Sequence, residues 1–163
     1  MAKKKTTELA EDIEEFLNTR PDGTWSGLTI GPDGDMQVSV VFDPTTMFEK
    51  EQKGIFVIPV VREYNISSSQ GRGQVISVSS NPTIVVCVYY PFSEDQLDPN
   101  NKDVASWEAV KGIIDLREEM ERLIIKNTWG LQISNVEAEA AENIPMGKRA
   151  YFSPTMFTFE DHC

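Results

Sequence analysis

The chain has 163 residues, 40% of them apolar and 25% charged, a composition suited to one domain with a single core. Its 26 acidic residues outnumber 15 basic ones, for a net charge of −11, which excludes tight binding to a phosphate backbone through clustered Lys and Arg. No apolar run approaches the 18 or so residues of a membrane span, and the basic start Met1-Ala2-Lys3-Lys4-Lys5 leads into Thr6-Thr7-Glu8, so no secretory signal is expected.

The first predicted element is a helix from about Glu8 to Asn18. Leu9, Ile13, Phe16 and Leu17 form one apolar stripe, Thr6 or Thr7 is placed to cap it, and Glu8, Glu11 and Asp12 suit the N-terminal dipole. Pro21-Asp22-Gly23 stops it. Thr24–Ile30 and Met36–Phe42, on either side of Gly31-Pro32-Asp33-Gly34-Asp35, read as a hairpin. Residues 43–54 have no clear period, and Met47 and Phe48 are the apolar side chains of that stretch. Ile55–Val61 is an apolar strand whose Pro59 cannot donate a ladder bond, which predicts an edge or a bulge there.

Arg62–Gln74, with Ser67-Ser68-Ser69-Gln70-Gly71-Arg72-Gly73, reads as a long polar loop, and long loops are functional or disordered. Strand residues resume at Val75–Val78 and, after a break at Ser79-Ser80-Asn81-Pro82, at Thr83–Tyr90. The nearly continuous apolar run Ile84–Tyr90 predicts a central strand buried on both faces. A polar loop is expected over Pro91–Asp103, then a long helix from about Ala105 to Lys126. Its stripe is wide: Ile113, Leu116, Met120 and Leu123 lie beside the line Trp107, Val110, Ile114, Arg117, Glu121 and Ile124. A strand over Gly130–Val136, an Ala/Glu run and an aromatic strand within Ala150–Glu160 complete the chain. The fold class is therefore α+β: a mixed, mostly antiparallel sheet with a long helix packed on one face and a short N-terminal helix. Residues 1–163 form one domain, with 1–6 and 160–163 flexible.

Residues able to do chemistry are few. The single histidine, His162, stands next to the end, where it cannot anchor a serine or cysteine nucleophile. Cys87 lies inside an apolar strand and Cys163 at the end, which makes neither a disulfide framework nor a zinc site. Gly147-Lys148-Arg149 lacks the rest of a phosphate loop, and Asp33 and Asp35 are not followed by the ligands of a calcium loop. Glu118, Glu119 and Glu121 read as a solvated helix face, and Trp25, Trp107 and Trp129 as core anchors at element boundaries. No catalytic, cofactor or metal residue is expected, and no cofactor. What remains are surfaces for neighbours; Met47, Phe48, Arg62, Tyr64, Ile66 and Arg72 are the candidate interface residues.

The order of these elements carries a resemblance. A short helix is followed by the strand Gly54–Arg62, a Ser/Gly-rich loop with one arginine, and the strand Thr83–Tyr90. The long helix Trp107–Asn127, a strand near Ile133 and the aromatic strand Tyr151–Phe159 come after them. This resembles the tail terminator and tail-completion (neck) proteins of long-tailed bacteriophages over about Ile55–Phe159. The resemblance implies a structural virion protein and not an enzyme. It would form a ring, usually a hexamer, that caps the tail tube and joins it to the head-side connector. The expected partners are further copies of itself, the tail-tube protein and the connector or stopper. Genomic DNA would pass through the lumen without specific binding, past an acidic wall that does not trap it. The implied location is the virion neck, assembled in the bacterial cytoplasm. Pro59, the segment 43–53 and the Thr24–Phe42 hairpin depart from the family's pattern. A head-side stopper or adaptor, a minor tail protein, and a small enzyme or ligand-binding domain are the competing readings.

Overall fold

The computed structural model describes residues 5–19, 37–41, 53–68, 75–127, 129–138, 142–143 and 150–162. Helix α1 spans Thr6–Asn18 and helix α2 Trp107–Lys126. The strands are β1 (Gln37–Val40), β2 (Gly54–Ser68), β3 (Val75–Pro91), β4 (Leu97–Asp98), β5 (Asn101–Ala105), β6 (Gln132–Ala138), β7 (Glu142–Asn143) and β8 (Ala150–His162). The main sheet runs β1-β2-β3-β8-β6, with β7 also paired to β8, while β4 and β5 form a separate two-stranded ribbon. Among the described residues β1 and β2 pair in parallel and the other pairs are antiparallel. The α+β class and both helices are as the sequence predicts. Thr6 is the first helical residue rather than a cap; the start is closed by the Glu8 carboxylate, which accepts the Lys5 amide at 3.2 Å.

One side of the sheet carries the core. Ile55, Val57, Ile84, Val86, Val88, Phe157 and Phe159 meet Leu9, Ala10, Ile13 and Leu17 of α1 and Ile113, Leu116, Met120, Leu123 and Ile124 of α2. Leu9, Ile13 and Leu17 are fully buried, and each contributes about 1.5–3 kcal/mol to docking α1. On the opposite side a smaller cluster forms around Ile58 and Cys87, with Val41, Phe56, Val85 and Phe152. This explains the continuous apolar run of β3: as the middle strand it contributes to both clusters. Tyr89, 3% exposed, follows Cys87 on that second side, and burial pushes its phenol above its ordinary value of 10.0. The unfolded chain therefore releases this proton first. The stability it confers is complete below about pH 10 and is lost as the pH rises from there through the raised native value. Thermal unfolding between pH 9 and 11 should fall more steeply for the native chain than for Tyr89→Phe.

Several predicted irregular stretches lie in regular structure where the structure describes them. The expected loop Arg62–Gln74 is corrected over Arg62–Ser68, where β2 continues, while 69–74 lie outside the described residues; the break at Ser79–Pro82 is corrected too, since β3 is continuous from Val75. A bulge reconciles them. Val60 pairs with Thr83 and Glu63 with Asn81, so Val61 and Arg62 together oppose Pro82. Pro82 lacks an amide hydrogen, and an irregular step in the ladder tolerates it. The bulge also changes the phase of β2 by one residue, so positions 64 and 66 share a side with Ile55 and Val57. Polar side chains obscured this in the sequence because Ser and Asn are poor strand formers outside a paired ribbon. The Pro91–Asp103 loop holds a 3-10 turn at Glu94–Gln96 and the β4–β5 ribbon, with Leu97 buried and Gln96 donating to the Tyr90 hydroxyl at 3.0 Å. The chain end expected to fray is in the ladder as well, since His162 pairs with Ser79.

Pro59 fits the edge that the sequence predicts for it. The Val41 amide donates to the Val57 carbonyl at 3.0 Å, so Val57 faces β1, and Pro59, two residues on, faces the same way past the end of β1. Thr24–Ile30, the strand expected to pair with Met36–Phe42, lies outside the described residues. Gln37–Val40 instead pairs with β2.

Candidate functional site

Three of the six candidate interface residues, Met47, Phe48 and Arg72, lie outside the described residues. The other three fall on β2 and not on a loop. Arg62 is in the bulge opposite Pro82, Tyr64 pairs with Ser80 and Ile66 with Val78. Tyr64 and Ile66 are thus brought to neighbouring positions on one side of a two-stranded arm. This arm continues past Ser79, where pairing of β3 with β8 ends.

Side chains of α1 close the outer edge of β1. Val41 turns its amide toward β2, so Val38 and Val40 turn theirs outward. The Asn18 amide group serves Val38 twice, donating to its carbonyl at 3.0 Å and accepting its N–H at 3.3 Å; the Glu14 carboxylate accepts the Val40 N–H at 2.6 Å. Two helix residues one turn apart thereby replace a neighbouring strand. A sheet edge that would invite pairing is blocked. A groove of about 670 Å³ lies here, lined by Glu11, Glu14, Glu15, Asn18, Thr19 and Val40. Its three carboxylates belong to the solvent side of α1, and the Glu14 carboxylate is occupied by the strand. Asn18→Ala should cost about 1–2 kcal/mol in chemical denaturation, because the Val38 groups lose both partners. Asn18→Asp should cost more, since a carboxylate accepts the N–H but repels the carbonyl. Equal losses for the two variants would show that the paired bonds contribute nothing.

A second polar group lies between α2 and β8. Ser153 and Thr155 are fully buried on the helix side of the sheet. Arg117 donates from Nη1 to the Ser153 hydroxyl at 3.1 Å, its Nε is 3.5 Å from Glu121 Oε1, and the Thr155 hydroxyl donates to the same oxygen at 2.9 Å. Glu121 is therefore not part of a solvated face: its side chain is 19% exposed and turned to the sheet. Glu118 is exposed, and Glu119 pairs with Arg122. The arrangement joins helix and strand in one register. Two hydrogen bonds and an ion pair tie the helix to the strand, with the buried Arg117 Nε meeting Glu121 as an ion pair and not as a hydrogen bond, which is a structural role.

Of the three tryptophans, Trp107 overturns the expectation of a core anchor: it is 71% exposed at the first turn of α2. The Ser106 hydroxyl caps that turn by accepting the Ala109 amide at 3.4 Å. Trp129 does anchor the core. Its ring meets Phe16 edge-on at 5.3 Å and Phe159 at 6.5 Å, tying α1 to β8. It holds a left-handed backbone (φ 54°), followed by Gly130 at φ 79°, where the chain leaves α2 for β6. That conformation costs a non-glycine residue about 1–2 kcal/mol, which the aromatic packing offsets. Trp25 lies outside the described residues.

Among the described residues, no group of three or more His, Cys, Asp or Glu side chains could hold a metal ion. No described helix is long and apolar enough to cross a membrane. In comparison with known proteins, no family model matches the sequence and no curated protein is significantly similar to it.

Proposed function

We propose that this chain is a structural subunit of a bacteriophage neck, a tail terminator whose ring caps the tail tube and joins it to the head-side connector. The observation that carries this reading is the order of elements: a short helix, a strand from Gly54, a strand that includes Thr83–Tyr90, a long helix, a strand near Ile133 and an aromatic last strand. It is the order that resembles the tail terminator and tail-completion proteins. The net charge of −11 also supports it, because an acidic lumen lets DNA slide without capture. In this reading the work is done by surfaces, with further copies, the tail-tube protein and the connector as partners. The arm around Arg62, Tyr64, Ile66 and Arg72 and the segment around Met47 and Phe48 are the contact regions. The ring is a hexamer, and it is built in the bacterial cytoplasm.

Light scattering on the purified protein, alone and mixed with tail tubes, tests the proposal. The expected result is a ring, or a monomer that assembles on tube ends and is visible there by electron microscopy. A chain that stays monomeric and never joins tubes or virions overturns it. Cross-linking to the connector without any contact to the tube subunit reassigns it as a head-side stopper. Replacing Ser67–Gly73 by a two-residue turn should leave melting nearly unchanged, because the ladder from Gly54 to Ile66 remains, yet weaken assembly at least tenfold.

A further inference from the structure

Two large apolar side chains of α2 stand in solvent. Trp107 is 71% exposed and Ile125 50% exposed. They are 18 residues apart in sequence, about five turns or 27 Å of helix, so both face the same way. Between them Lys111, Ile114, Glu118 and Arg122 follow the same line at spacings of three and four. The three charged side chains are exposed and Ile114 is half-buried. This line runs along the side of the helix away from the buried Leu116, Met120 and Leu123.

The two helices differ in charge. Helix α1 holds five acidic residues and no basic one, whereas α2 holds five acidic and four basic ones. In a molecule of net charge −11, a second copy approaches α2 against far less repulsion than it meets at α1. The order of the charges then selects an orientation. A parallel partner in the same register would set Lys111 against Lys111 and Glu118 against Glu118. An antiparallel partner, related by a two-fold axis beside Ile114, sets Lys111 of each copy opposite Glu118 of the other. The same register brings the two Ile114 side chains together and lays Trp107 against Arg122 and, one turn on, Ile125. Arg122 donates from Nε and Nη2 to Glu119, which uses the edge of the guanidinium and leaves its flat face for the indole. Asp115 lies off this line and stays at the solvent rim.

We infer that the outer face of α2 is a two-fold contact on which a second copy of this chain docks antiparallel, helix on helix. The inference goes beyond the neck reading and does not rest on it. A two-fold contact closes on itself and cannot continue around a ring, so it belongs to the free chain. The indole supplies buried area at each end of the contact, and the Lys111–Glu118 pairs set its direction and register.

Sedimentation of the native protein across a concentration series should show a monomer–dimer equilibrium. Trp107→Ala should weaken the dimer about tenfold or more, with melting close to native because the ring is mostly in solvent in the single chain. Lys111→Glu and Glu118→Lys should each be monomeric where the native chain is half dimeric, since each variant sets like charges against one another twice. Mixed in equal amounts, the two variants should form a heterodimer, in which every Glu at these positions faces a Lys. The double variant, with the charges exchanged, should dimerise again. A native chain that sediments as a monomer at every concentration overturns the inference. So does association of any size that Trp107→Ala leaves unchanged, or a mixture of the two charge variants that stays monomeric.

Discussion

Phe157→Ala should destabilise the protein by about 3–5 kcal/mol, lowering the melting temperature by roughly 6–20 °C. Phe157 is fully buried on β8, between its partners Ile84 of β3 and Val136 of β6, and under the two helices. Truncation removes apolar area and leaves a cavity that neither helix can collapse into, since both are held by other contacts. Phe152 supplies the comparison. It sits on the same strand but on the opposite side, half-buried beside Ile58 and Cys87. Phe152→Ala should cost about half as much or less. Thermal and denaturant unfolding of the two variants will decide. Equal losses would mean that the second side of the sheet is packed as tightly as the first.

Arg117→Ala is the other large effect, about 1–3 kcal/mol. A fully buried pair broken on one side costs about 3–5 kcal/mol. Here the side chains are 18% and 19% exposed, so water screens part of the loss. The variant leaves Glu121 between α2 and β8, with the Thr155 hydroxyl to hold it and the Ser153 hydroxyl without its donor. The cost comes from stranding these groups, not from losing a strong attraction. Arg117→Met combined with Glu121→Leu and Thr155→Val should therefore recover most of the stability, because the polar group is replaced as a unit within an apolar stripe. A combined variant as unstable as the sum of its parts would show that the ion pair itself provides the stability.

Much of the fold was legible because burial is periodic. The spacing of Leu9, Ile13 and Leu17, and of Ile113, Leu116, Met120 and Leu123, located both helices within two residues. The apolar run at Ile84–Tyr90 identified the middle strand. The arm was not legible, because its strands are held by a ladder of backbone bonds and carry Ser and Asn at positions where a core strand carries Val and Ile. The same holds for the role of Glu121. In sequence it stands in an acidic run, and only the position of Thr155 on β8, far along the chain, turns it inward.

Of the candidate interface residues, the described ones stand on a strand and not on the polar loop that the sequence predicts. Arg62 lies in the bulge of β2, and Tyr64 and Ile66 follow it in the ladder. Asn18 and Glu14 were missed altogether: a helix residue that bonds an edge strand has no local signature, since the strand it serves lies 20 or more residues away.

By itself, then, the chain's order of apolar and polar residues determined the α+β class, the two helices and the central strand, since each depends on neighbours within a few turns or one strand length. Tertiary structure alone decided the parallel docking of β1, the two bulges that re-phase β2 and β6, and the closing of one sheet edge by helix side chains. Those are settled by which backbone groups find partners across the fold, and hydrogen-bond partners distant in sequence leave no trace in local periodicity.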